Sequence, residues 1–463
     1  MLKPGKDPLN PLSYRPVSNL CTLGKLIEKA QFDQIKDHLI KNNLINGNQH
    51  GGLSNHSTAT CLLEIVTEVN EAQEEKKKTA ILAIDLSAAY DLVSHELLLQ
   101  KCRLLNLGKA TIKWLKDYLS NRDQYVDIYG QKSTKIRSGE TGVIQGAPSS
   151  GELFLMFLND LPDTNKDMEQ IDPPTSKQFV DDLNSIIKAD SNEELMKKTL
   201  VEYNRLEKAL ITHRMKINRD KTQLMCIRPD QDLRNQELKI ADVTIKHQKT
   251  IKILGLTLAD DLKYDEHIFK AKKNMVKSLN VKNALLRVIK PFISKKSLAT
   301  VGNNLINSTI LYAAPIWGLT TKTNIQKIQA CQIKAARIIT GKKWEKGKIQ
   351  HRQTTLNNLD WPNTAQIIQS STLNIVKRAM KSQSSKAINN MYIVNEPMRP
   401  RKGKAHTITH KGPLNRPTNH FSAFGASEYN KIPHTIRSKD INCKQFKNAV
   451  RKYTRTTNLL EMH

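Results

Sequence analysis

Hydrophobic positions along the chain alternate between two periods. Residues 20–40 repeat at helical spacing, with Leu23, Leu26, Ile27 and Ala30 on one face. Leu62, Ile65, Val66 and Val69 do the same in a helix running to Glu75, and Ser57 or Thr58 stands where a cap belongs. A charged tip over residues 74–78 then gives way to the unbroken apolar run Thr79-Ala80-Ile81-Leu82-Ala83-Ile84, the pattern of a buried strand. Residues 95–119 read as one or two helices, and residues 124–128 and 134–137 as a hairpin around Gly130. The polar stretch 163–177, with Pro173-Pro174, reads as a loop. Gln178-Phe179-Val180 and Leu183-Asn184-Ser185-Ile186-Ile187 are strand-like runs split by Asp181-Asp182, a hairpin with those two residues as its turn. Residues 192–215 form a strong helix with the stripe Leu195, Leu200, Tyr203, Leu206 and Leu210.

The rest reads as helical. Residues 267–289 carry a stripe through Met275, Leu279 and Leu286 and stop at Pro291. Residues 297–316 and 325–339 follow, then shorter helices at 356–361, 367–380 and 421–453. Strands mixed with helices, then helices alone, predict an α+β chain with a small antiparallel sheet backed by helices. Its 463 residues allow about three domains.

Charge divides the chain at about residue 270. Residues 1–270 hold 38 basic and 38 acidic side chains; residues 271–463 hold 35 basic and 6 acidic, and so carry the whole net charge of +29. Such a field binds polyanions without reading sequence and weakens with salt. Aromatic residues are only 5%, so stacking bases on many rings is not the expected mode. The six cysteines are scattered singly with no Cys-x-x-Cys or Cys/His cluster, which predicts free thiols and no zinc. No run of 18 apolar residues predicts a membrane-spanning helix. The opening Met1-Leu2-Lys3-Pro4-Gly5-Lys6 is not a signal peptide. The expectation is an intracellular chain of nucleus and cytoplasm, not secreted. The string Arg399-Pro400-Arg401-Lys402-Gly403-Lys404 is a basic loop, a nuclear signal or a set of groups that meet phosphates.

Candidate chemistry lies in the carboxylates. Two adjacent aspartates in a turn repel each other, a cost relieved by water or by a hard divalent cation. Asp85 adds a third carboxylate at the end of a buried strand. Several oxygens gathered around two ions are what metal-assisted phosphoryl transfer requires.

An ordered series of motifs resembles the reverse transcriptase of non-LTR, LINE-type retrotransposons. Lys3-Pro4-Gly5-Lys6-Asp7 and Ser13-Tyr14-Arg15-Pro16-Val17-Ser18 resemble its opening fingers motif, and Gly24-Lys25-Leu26-Ile27-Glu28-Lys29 its next helix. Ala83-Ile84-Asp85-Leu86-Ser87-Ala88-Ala89-Tyr90-Asp91 resembles the first palm motif. Tyr118-Leu119-Ser120-Asn121-Arg122, Gly142-Val143-Ile144-Gln145-Gly146 and Asn159-Asp160-Leu161-Pro162 are similar to those that follow. Phe179-Val180-Asp181-Asp182 is similar to the family's aromatic-x-Asp-Asp. Met215-Lys216-Ile217-Asn218-Arg219-Asp220-Lys221-Thr222 and Ile253-Leu254-Gly255-Leu256 resemble the last two.

The resemblance implies a right hand, with fingers and palm over 1–264, a helical thumb over 265–345 and a basic nucleic-acid-binding region over 346–463. It implies an RNA-directed DNA polymerase that takes an RNA template, a DNA primer and deoxynucleotides. Its cofactor would be two Mg²⁺ ions, with Mn²⁺ as a substitute. Asp85, Asp181 and Asp182 would be the metal-binding carboxylates. Lys221 would protonate or neutralise the pyrophosphate leaving group. Arg15 would sit near the triphosphate, Tyr90 under the incoming sugar, and Gln145 and Gly146 along the nucleotide and template pocket.

The chain departs from the family's usual strings at Ile144, Ala147 and Gly151, and has Gly51-Gly52-Leu53 where Gly-Phe-Arg is common. No nuclease or RNase H pattern is evident, and the opening already inside a motif suggests a truncated element or an incomplete gene model. The alternative expectation is an idle relic that only binds nucleic acid through its basic half.

Overall fold

A computed structural model of the chain describes residues 2, 7–14, 16–128, 130–163, 173–240, 243–342, 350–395, 406–413, 416, 420–437 and 441–456. The chain divides into two units, one of Met1–Ser54, Lys78–Leu224 and Gln236–Lys246, the other of Asn55–Lys77, Met225–Asn235 and His247–His463.

The first unit is organised by a sheet. Strand β1 (Lys78–Ile84) is the predicted apolar run. Strands β2 (Thr175–Phe179) and β3 (Asp182–Ala189) form a hairpin, and β4 (Gln223–Cys226) begins in this unit. The order is β2-β3-β1-β4. β1 pairs antiparallel with β3 from Lys78↔Ala189 to Ile84↔Leu183. The predicted loop over 163–177 therefore ends early, because Thr175, Ser176 and Lys177 are strand. Their polarity hides a buried position. The Ser176 and Ser185 hydroxyls meet at 2.8 Å and both donate to Glu202, at 3.2 and 2.7 Å. Arg205 closes the network with two bonds to the same carboxylate, at 2.7 and 2.8 Å. Lys177 donates to Asn48 Oδ1 at 2.8 Å. Buried polar groups with partners avoid the desolvation penalty that would otherwise exclude them.

Helix Asn192–Thr212 backs this sheet, capped by Ser191 on the Glu194 amide, and buries Leu195, Tyr203, Leu206 and Leu210. Residues 95–119 resolve into two helices, His95–Leu104 and Lys109–Leu119, parted where Asn106 takes a positive φ of 55°. Helix Thr22–Lys41 turns its predicted apolar face outward: Leu23, Leu26 and Ile27 are exposed, while Glu28, Phe32, Ile35 and Leu39 are buried. Two stripes compete on this helix. The one bearing Phe32 wins because its ring meets Trp114 and Tyr118 edge-on, and such aromatic pairs bury more area.

In the second unit helix Thr58–Glu74 starts as expected, with Ser57 and Thr60 forming a reciprocal capping box. Strands Thr250–Ile253 and Leu256–Ala259 form a tight hairpin whose turn residues, Leu254 and Gly255, both have positive φ. Residues 267–289 are not one helix. A π turn over Glu266–Lys270 ends before Asn274, which caps Met275–Ile289. Residues 297–316 are likewise broken by a π turn over Asn303–Asn307 and by Ala313 at φ 50°. Trp317 is fully buried just beyond, its indole donating to the Tyr312 carbonyl at 2.8 Å. Helix Thr364–Met380 packs against Cys443–Thr456 and Phe421–Lys431. An antiparallel pair, Tyr392–Asn395 with Thr407–His410, is not foreshadowed by the sequence pattern. The basic string 399–404 and most of the linker 341–348 lie outside the described residues. Among the described residues no helix is long and apolar enough to cross a membrane.

Candidate active site

Asp85 follows the last residue of β1. The β1–β3 ladder ends at Ile84↔Leu183, so Asp85 and Asp182 are the residues next to its last pair. The β2–β3 hairpin pairs Phe179 with Asp182, so its two turn residues are Val180 and Asp181. The predicted Asp181-Asp182 turn is thus displaced by one residue. Asp181 stands in the turn and Asp182 opens the strand.

The segment after helix Asn192–Thr212 brings the cation. The Ser87 amide donates to the Lys216 carbonyl at 2.9 Å and the Asn218 amide to the Asp85 carbonyl at 2.8 Å. This antiparallel seam leads into the short turn Arg219–Lys221 and places the Lys221 ammonium 2.7 Å from Asp85 Oδ2.

Electrostatics report the same convergence. The Asp182 carboxyl is pushed up to about 6, first by loss of water around it, then by the negative charges of Asp181 and Asp85, with Lys221 pulling the other way. The residue keeps an exposed surface, so the neighbouring charges are the cause to weight. Burial, then Asp181, then Glu152 raise the Tyr90 hydroxyl above its ordinary value. The Tyr90 ring stacks on Phe154 with centroids 4.9 Å apart and planes 11° apart.

Gln145 and Gly146 reach the same neighbourhood through the backbone. The Val143 amide donates to the Tyr90 carbonyl at 2.8 Å, and the Gln145 side chain donates to Asp91 at 3.3 Å. Gly146 has φ 104°, and a Cβ there would stand 3.1 Å from the Ser18 carbonyl oxygen, so a side chain would be both strained and crowded. Arg15 lies outside the described residues.

A divalent cation suits these groups. Three carboxylates, hard oxygen donors, act on one another here, and Asp182 holds its proton more tightly through loss of water and then through the negative charges of Asp181 and Asp85. Among the described residues, however, no three His, Cys, Asp or Glu side chains are gathered tightly enough to hold a metal as they stand. Lys221 supplies the nearest positive charge instead.

Two further segments support the site's surroundings, and neither has a role that the sequence pattern assigns. Gln49, His50 and Gly51 run beside β2, with the His50 amide donating to the Gln178 carbonyl at 2.8 Å. Asp160, read only as part of a motif, is a structural anchor: burial opposes its charge, yet bonds from His213 and Lys101 hold the carboxyl well below the usual range.

Residues 2–258 match the family described as reverse transcriptase (RNA-dependent DNA polymerase). A probable RNA-directed DNA polymerase from transposon BS of Drosophila melanogaster is 25% identical over 366 residues, 77% of this chain and 40% of the relative. An RNA-directed DNA polymerase from mobile element jockey of Drosophila funebris is 26% identical over 347 residues, 74% of this chain and 37% of the relative. The chain thus spans about two fifths of the length of these curated relatives. Apo telomerase from Candida tropicalis is a structural neighbour at TM-score 0.40 and 12% identity, covering 79% of this chain and 60% of that one.

Proposed function

Because the chain belongs to the reverse transcriptase (RNA-dependent DNA polymerase) family, we propose that it extends a DNA primer with deoxynucleotides on an RNA template, as part of a non-LTR retrotransposon. The observation that supports this most is the meeting of Asp85, Asp181, Asp182 and Lys221 from three separate stretches of chain.

In this reading the primer 3′-hydroxyl attacks the α-phosphate of the nucleotide and pyrophosphate leaves. Asp85, Asp181 and Asp182 would hold the divalent ions, two Mg²⁺ or Mn²⁺ in their place. Bound there, such ions neutralise charge on the attacking and leaving oxygens. Lys221 gives a proton or its charge to the departing pyrophosphate. That role requires its ammonium to leave Asp85 when substrate arrives. Tyr90, braced by Phe154, offers a rigid ring for the nucleotide's sugar. Gln145 and Gly146 line the pocket where backbone must come close to the nucleotide, and Arg15 is assigned to the triphosphate. The basic stretch 271–463 supplies the grip on template and primer.

Primer extension on an RNA template with Mg²⁺, beside the Asp181→Asn variant, tests the proposal. Extension by the wild type alone supports it. Extension by both removes Asp181 from the site. Extension by neither leaves a nucleic-acid binder, a reading favoured only by the net charge.

A further inference from the structure

The turn that carries Asp181 is held in a conformation its own sequence disfavours. Val180 has φ 59°, and Asp181 does not share the positive sign. A two-residue hairpin with positive φ at its first position asks for glycine there, and a β-branched side chain is the costliest substitute. Something outside the turn must impose this geometry.

The imposing group comes from 131 residues upstream. Gln49 is fully buried, and its Oε1 accepts from the Val180 amide at 3.3 Å and from the Gly51 amide at 2.7 Å. Gln178 donates from the other side to the Val180 carbonyl at 2.8 Å. Gly51 completes the cradle. A Cβ there would stand 2.6 Å from Val180 Cγ2 and 2.7 Å from its backbone nitrogen, closer than real Cβ atoms approach. The Gln49 Nε2 donor is buried with no partner among the described residues. A hydrophobic side chain would avoid that cost, so filling space does not account for an amide here.

We propose that Gln49 is a positioning residue: its buried carbonyl oxygen pins Val180 in the left-handed turn and thereby aims the Asp181 and Asp182 carboxylates. The inference rests on the polymerase reading for its link to chemistry, but not for its geometry.

The test compares Gln49→Leu, Val180→Gly and the double variant with wild type. The readouts are Mn²⁺ binding without nucleotide by electron paramagnetic resonance, thermal melting, and kcat and KM for primer extension. Gln49→Leu should lose about tenfold in Mn²⁺ affinity and in kcat, with KM for the nucleotide nearly constant. Glycine takes positive φ freely, so in the Val180→Gly background the same change should cost less than about twofold. Equal losses in both backgrounds, or a fall in melting temperature with no change in Mn²⁺ affinity, would overturn the proposal. Should Gln49→Leu fail to fold, Gly51→Ala decides, since it pushes on Val180 from the same side: wild-type Mn²⁺ affinity in a folded Gly51→Ala protein also overturns it. Absence of extension by the wild type would remove the polymerase reading alone, because the Mn²⁺ titrations still report whether Gln49 aims the carboxylates.

Discussion

Asp182 opens β3 with one carboxylate beside it in sequence and another across the sheet. Its carboxyl titrates near 6 rather than at its ordinary value, so the folded chain keeps a proton that the unfolded chain releases. The stability this gives is complete below the unfolded value and is lost as pH rises through about 6. Urea denaturation without metal should therefore show stability falling between about pH 4 and 6, and Asp182→Asn should flatten that slope. Mn²⁺ affinity, measured without nucleotide, should weaken as pH falls through about 6, because the proton and the ion compete for Asp182 in the metal-free protein. Lys221 presents a different case. Its ammonium neutralises Asp85 in the free protein. Lys221→Met should lower kcat by about 10²-fold if it serves the leaving group. Mn²⁺ affinity, measured without nucleotide, should rise or hold, whereas a purely structural lysine would weaken both.

Helix Asn192–Thr212 is fastened to the sheet by charge as well as by apolar burial. Glu202 is 1% exposed and takes bonds from Ser176, Ser185 and Arg205. Arg205→Met would leave that carboxylate buried without its cation and should cost about 3–5 kcal/mol, read as a shift in the denaturation midpoint. Replacing Glu202 and Arg205 together by apolar residues of similar volume should restore most of that stability. None of this was legible beforehand, because Thr175-Ser176-Lys177 reads as loop by polarity and its partners lie on another element. The helices themselves were legible where caps marked them. Ser57, one of the two candidate caps, stands directly before apolar periodicity and caps as expected, and Ser191 holds the same place before Asn192–Thr212. The outward face of Thr22–Lys41 was not legible, because both stripes have helical spacing and only Trp114 and Tyr118 choose between them.

The charge asymmetry belongs to the molecule as a whole. Removing residues 271–463 would not isolate it, since Asn55–Lys77 and Met225–Asn235 share a unit with His247–His463 and would lose their packing. Surface substitution is the cleaner probe. Helix Cys443–Thr456 buries Phe446 and Val450 and exposes Lys444, Lys447, Arg451 and Lys452. Changing those four to glutamine should weaken binding to RNA of any sequence. The slope of log affinity against log salt should flatten by about 0.7–0.9 for each phosphate that the variant no longer neutralises. An unchanged slope would put the nucleic acid on another face.

Sequence alone determined the α+β character, most of the long helices, the central apolar strand and the basic back half, and short motif strings singled out the three aspartates and Lys221 as candidates. These follow from periodicity, composition and short strings, which are local properties of a chain. Tertiary structure decided what depends on partners far apart in number: the one-residue placement of the turn, the buried polar strand, the face of the first long helix and the grip of Gln49 on Val180. Pairing register and side-chain satisfaction are settled only when two distant segments meet, and no local pattern records which segment the other will be.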